Sequence, residues 1–155
     1  MARANFQCLI IPFMIIDGEP RYAIFKRSDR AIWQFLSGGG EDKETPIETA
    51  KRECFEEAQI PDNISFYELD AISTVPAEIF CEEYRKNWPS DCYVLKEYKF
   101  TFKLEENIIK ISDEHSEYKW ATFDEAFELL EYDSNRVALR EVRARIKDNN
   151  FKEAK

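Results

Sequence analysis

The chain has 155 residues, 44% of them hydrophobic and 14% aromatic, enough for one domain with a full core, so a single domain over residues 1–155 is expected. A formal net charge of −9 argues against a binder of nucleic-acid polymers, which are gripped by lysine and arginine. No apolar run reaches the roughly 18 residues of a membrane helix, and the apolar stretch 9–16 lacks a small-residue cleavage site, so neither a membrane association nor a leader is expected.

In chain order, residues 6–16 and 22–26 read as two strands around the turn cluster Asp17-Gly18-Glu19-Pro20, a hairpin. Residues 32–36 form a short strand feeding a glycine turn, Gly38-Gly39-Gly40. A helix follows: Thr45 can cap it, Pro46 suits its first position, Glu48 completes a capping box, and Pro61 ends it. Residues 65–75 suggest another strand, 93–104 a long one alternating over Tyr98, Phe100 and Phe102, and 116–122 the strand that closes the sheet. Helices over 124–131 and 134–147 finish the chain, the second with Val137, Ala138 or Leu139, Val142 and Ile146 at helical spacing. A mixed β-sheet flanked by helices, an α/β/α sandwich, is the fold class.

Cys8, Cys54, Cys81 and Cys92 show no CxxC pairing, so reduced thiols and a cytoplasmic location are expected; a Cys81–Cys92 bridge stays open.

The chemistry concentrates in the first helix. At about 100° per residue, Glu53, Glu56 and Glu57 fall on one stripe beside an apolar stripe of Ile47, Ala50, Cys54 and Ala58. Each acidic pair costs an isolated helix about 0.2–0.5 kcal/mol, a sign that a hard divalent cation reverses. Zinc would want histidine or thiolate, and His115 is the only histidine. Acidic stripes in a chain that is 34% charged are commonly just solvated faces. Here the wider spacing decides. Gly38, five residues, Glu44, seven residues, then Arg52-Glu53-Cys54-Phe55-Glu56-Glu57 and Ile60 resembles the Nudix box, GX5EX7REUXEEXGU, where U is a bulky apolar residue. One fixed position departs, because Gln59 stands where the box has its last glycine. Glutamine in a left-handed turn would cost about 1 kcal/mol or force a different helix exit.

The resemblance implies the Nudix fold and a Mg²⁺-dependent hydrolase, with Mn²⁺ a substitute. Carried over, Glu53 and Glu57 bind the metal, Glu56 is a further ligand or the group that activates water, Arg52 orients a neighbouring acid, and Glu44 supports the loop. The segment Ser112-Asp113-Glu114-His115-Ser116-Glu117-Tyr118-Lys119-Trp120 is similar to one in Nudix enzymes related to dihydroneopterin triphosphate diphosphatase, where the acid matching Glu114 faces the metal site. Whether Glu56 or Glu114 activates the water stays open. The same relatives imply substrate contacts at Lys26, Arg27, Ser37, Gly38, Ala77, Phe80 and Tyr132, whereas residues 82–92, with Tyr84 and Trp88, match them poorly. The expected reaction cleaves a nucleoside (dATP-like) or pterin triphosphate to monophosphate and pyrophosphate. Dinucleoside polyphosphates and nucleotide sugars are alternative substrates, a noncatalytic ligand sensor is the alternative class, and monomer or homodimer stays open.

Overall fold

A computed structural model describes residues 1–155. Its centre is β1 (Arg3–Ile16), which runs parallel to β7 (Val94–Lys103) on one side. On its other side it pairs antiparallel with β4 (Leu36–Glu41) over its first half and with β2 (Glu19–Arg27) near its end. The short β3 (Trp33–Gln34) and β8 (His115–Ala121) join β2; β5 (Phe66–Glu68) and β6 (Ser73–Pro76) join β7; and β9 (Lys152–Glu153) closes the edge on β5. The result is one mixed nine-stranded sheet.

Period-two alternation sends the two sides of β1 to two different cores. Cys8, Ile10 and Met14 pack with Ala50, Cys54 and Ala58 of α1 (Pro46–Ala58) and with Phe100 and Phe102. Leu9, Ile11 and Phe13 pack on the opposite face with Ala126 of α3 (Phe123–Leu129) and with Ala138, Leu139 and Val142 of α4 (Asp133–Asp148). Helices therefore cover both faces of a mixed sheet, the expected sandwich. A further helical turn, α2 (Glu82–Arg85), lies outside both cores. No helix is long and apolar enough to cross a membrane.

Several expectations need correction. Gly38, Gly39 and Gly40 do not form a turn; they are strand residues of β4, with Gly38 opposite Cys8 and Gly39 opposite Gln7. They are needed for closeness: a Cβ on Gly38 would overlap the Glu53 carboxyl, and one on Gly39 would overlap the Arg3 guanidinium. The expected strand over 65–75 is broken into β5 and β6, because the Glu141 carboxylate takes the backbone N–H groups of Asp70 and Ala71 at 2.7 and 2.8 Å. Residues 32–36 likewise divide between β3 and the start of β4. The four cysteines are free thiols, so no Cys81–Cys92 bridge forms.

The helix start follows its sequence. Thr45 Oγ1 accepts from the Glu48 N–H while the Glu48 carboxylate accepts from the Thr45 N–H, the reciprocal box. At the other end Gln59 adopts the left-handed conformation (φ 55°, ψ 36°) that the box assigns to glycine, and the N–H of Ile60 still reaches Cys54 O at 3.2 Å. The exit is unchanged; glutamine carries the strain.

Candidate active site

The acidic edge of α1 faces β4 across the Gly38 gap, and the loop before β8 brings a fourth carboxylate to it. Glu53, Glu56, Glu57 and Glu114 line a cavity of about 510 Å³ together with Ser37, Gly38 and Phe80. A second cavity of about 320 Å³, lined by Arg27, Ser28, Gln34, Asp113 and His115, shares Ser37, Glu57 and Glu114 with it. Those three residues are common to the walls of both cavities.

Burial separates the helix acids. Glu57 is 3% exposed and its Oε2 has no hydrogen-bond partner. Burial pushes its carboxyl up to about 10, and contact with Glu114 and the charge of Glu53 push the same way. Burial also lifts Glu53, to about 7, against the opposing pull of Arg52. Glu56 stands on the rim with its side chain 54% exposed. Neutral carboxyls in such a place waste acceptor capacity, whereas a cation would ionise them.

Arg52 is the hub that holds this edge. Its Nε donates to Glu44 Oε2 at 2.8 Å and its Nη2 to Glu44 Oε1 at 3.0 Å, a two-pronged pair. Its Nη1 donates to Glu53 at 2.9 Å and Glu56 at 3.2 Å, and Nη2 also reaches Gly39 O at 2.9 Å. Glu44 is itself fixed by the Glu41 N–H and Thr49 Oγ1, both at 2.9 Å, and the Arg52 contact lowers its pKa. With Arg52 drawing on Glu53 and Glu56, no three His, Cys, Asp or Glu side chains converge tightly enough to hold an ion as they stand. The donor set is nonetheless that of a hard divalent cation, since it is all oxygen and includes a buried, unpartnered carboxylate oxygen.

The structure brings only part of the expected substrate set together. Ser37, Gly38 and Phe80 line the main cavity and Arg27 the adjoining one, where Asp29 occupies its guanidinium at 2.8 and 2.6 Å. Lys26, Ala77 and Tyr132 line neither cavity: Lys26 faces Glu117 at 3.9 Å, Ala77 is buried in the turn after β6, and Tyr132 is the residue just before α4. His115 is buried against Phe25, ring centroids 5.3 Å apart, and burial lowers its pKa.

Other lining residues lie outside the expected substrate set. Arg3 and Gln7 enter from β1, and Glu83, Tyr84, Lys86 and Asn87 from residues 82–92. Only the aromatic content of that insert hinted at them.

Known proteins resemble this chain over most of its length. The family model described as NUDIX domain matches residues 13–142. A dihydroneopterin triphosphate diphosphatase from Haemophilus influenzae is 26% identical over 141 residues, 90% of this chain and 89% of that one. A crystal structure from Listeria monocytogenes, itself provisionally assigned as a NUDIX hydrolase, superposes with a TM-score of 0.86 at 38% identity, covering 96% of this chain and 99% of that one. The dihydroneopterin triphosphate pyrophosphohydrolase of E. coli has the same fold at 22% identity, with a TM-score of 0.72 over 92% of this chain and 99% of that one.

Proposed function

The chain belongs to the Nudix family, and on that premise we propose that it is a Mg²⁺-dependent pyrophosphohydrolase, cleaving a nucleoside or pterin triphosphate to the monophosphate and pyrophosphate. The observation that carries the reading is Glu57: a carboxylate buried with an unpartnered oxygen, beside Glu53 and Glu114, on the wall of an open cavity. Such a group is costly unless something positive meets it.

In this reading Glu53, Glu56, Glu57 and Glu114 hold the metal, Mg²⁺ or in its place Mn²⁺. The bound ion would neutralise phosphate oxygens and make a coordinated water more acidic. The protein's own groups do the rest. Arg52 fixes the rotamers of Glu53 and Glu56, so that ion binding reorganises a held edge and not free side chains. Glu44 anchors Arg52 and touches no substrate. Glu56 or Glu114, both on the open cavity, accepts the proton of the attacking water as the anhydride P–O bond breaks and pyrophosphate leaves. Ser37 and the strand backbone at Gly38 flank the reacting phosphates.

The triphosphate choice is supported by the Haemophilus influenzae relative, with 26% identity over most of both chains. Dinucleoside polyphosphates and nucleotide sugars present the same anhydride to the same acids and belong in the same assay. A noncatalytic sensor would have no need of the complete set of box acids, which this chain retains. A release screen for pyrophosphate and phosphate over these substrates, with and without Mg²⁺, tests the proposal. Metal-dependent release of pyrophosphate from a triphosphate is expected, and Glu57→Gln should lose at least about 10³-fold in kcat. No release from any substrate with Mg²⁺ or Mn²⁺ would overturn the catalytic reading.

A further inference from the structure

Arg3 lines the same cavity as Glu53, Glu56, Glu57 and Glu114. A guanidinium has five N–H donors. That of Arg3 makes one side-chain hydrogen bond, Nη2 to Gln7 Oε1 at 2.9 Å, and its buried Nε has no partner. No carboxylate pairs with it, although Arg52 nearby is saturated with them.

What holds Arg3 is aromatic. Its Cζ stands 5.3 Å from the Phe80 ring centroid and 4.9 Å from that of Tyr84, and the indole Nε1 of Trp88 donates to the Arg3 carbonyl at 2.7 Å. Phe80 and Trp88 brace one another edge to face, 5.7 Å apart. On the sheet side the guanidinium occupies the space that a Cβ on Gly39 would need. Stacking fixes a guanidinium in place while leaving its in-plane donors free, which suits recognition of a phosphate.

We propose that Arg3 is a substrate-binding residue of this active site, clamped by Phe80, Tyr84 and Trp88 to grip a substrate phosphate, and that residues 82–92 exist to hold it there. The ligand class is a pyrophosphate-bearing small molecule, whose far phosphate meets Arg3 while the reacting one lies among the glutamates. The assignment rests on the proposed function for where the substrate lies, but not for its test.

The test measures binding and turnover separately, on the full chain with Mg²⁺. Inorganic pyrophosphate is titrated calorimetrically into the wild type and into Arg3→Gln, Arg3→Lys, Tyr84→Ala and Tyr84→Phe, and KM and kcat are measured on the best substrate. Arg3→Gln is expected to weaken pyrophosphate and raise KM about 10- to 100-fold, with kcat within about threefold. Arg3→Lys, which keeps the charge but not the planar fork, should fall between, and Tyr84→Ala should weaken pyrophosphate in the same direction, with Tyr84→Phe, which keeps the ring, recovering most of that loss. Wild-type binding and KM in an Arg3→Gln variant of unchanged melting temperature would overturn the assignment, as would a loss confined to kcat. If the wild type binds pyrophosphate through Arg3 but cleaves nothing, the catalytic reading falls and this one stands. If it cleaves a substrate with Arg3 irrelevant to KM, the reverse holds.

Discussion

Two arginines border one strand residue and are used in opposite ways. Arg52 donates to the carbonyl of Gly39 and to Glu44, Glu53 and Glu56; Arg3 fills the space above the same glycine and meets aromatic faces and a glutamine. Arg52 has spent its donors inside the protein, and acts by orienting acids. Arg3 is held by ring faces with donors left over. The comparison teaches that a cation's role follows from what holds it: ion pairs use up its hydrogen-bonding capacity, and stacking preserves it.

Substitutions can sharpen or break that contrast. The largest loss is expected for Glu57→Gln in the acid cluster, as argued above. Arg52→Ala should follow, with kcat down about 10²-fold and little change in KM, because it frees Glu53 and Glu56 from their shared donor; Arg52→Lys should restore little, lacking the fork that pairs with Glu44. If Arg52→Ala raised KM instead, the division of labour between the two arginines would be wrong. Gly38→Ala should displace Glu53 and lower kcat by about tenfold, read in the same assay, with a melting temperature drop of a few degrees.

The last effect is on stability against pH and leaves turnover aside. Glu57 and Glu53 sit above their unfolded values of about 4.3, so the folded state binds more protons between there and the folded values of about 10 and about 7. Their contribution is therefore favourable only at low pH and is lost as pH rises through those values. For one such proton the slope is about 1.4 kcal/mol per pH unit, roughly 3–5 °C in melting temperature for a chain of this size. Melting scans of metal-free protein from pH 6 to 9 should show that fall, and Glu57→Gln should flatten it.

The contrast also explains what could be read from residues alone. The α1 edge is local: Glu44 to Glu57 lie on one cap-and-helix unit, so spacing alone put Glu53, Glu56 and Glu57 on one stripe, the resemblance to the box implied Arg52's place beside them, and Thr45, Pro46 and Glu48 marked where the unit begins. The sandwich was legible for a similar reason, since alternation along β1 and β7 and helical spacing in α4 each report their own burial. Gly38 to Gly40 misled, because glycine is read locally as a turn while here it answers to side chains arriving from Arg3 and Glu53. Arg3, Phe80, Tyr84 and Trp88 were not legible as a group, since their contact spans about eighty residues and no periodicity encodes it. Lys26, Ala77 and Tyr132 show the converse: the resemblance implied substrate contacts there, and none of the three lines either cavity.

In this reading the buried carboxyls on α1 are there to be ionised by a divalent cation. Calorimetric titration of Mg²⁺ into the metal-free protein at pH 8, repeated in two buffers of different ionisation enthalpy, counts the protons released on binding. About one proton per ion is predicted, because Glu57, lifted to about 10, must ionise to become a ligand, and Glu57→Gln should abolish that release. Mg²⁺ binding with no proton released, or release undiminished in the variant, would contradict the account.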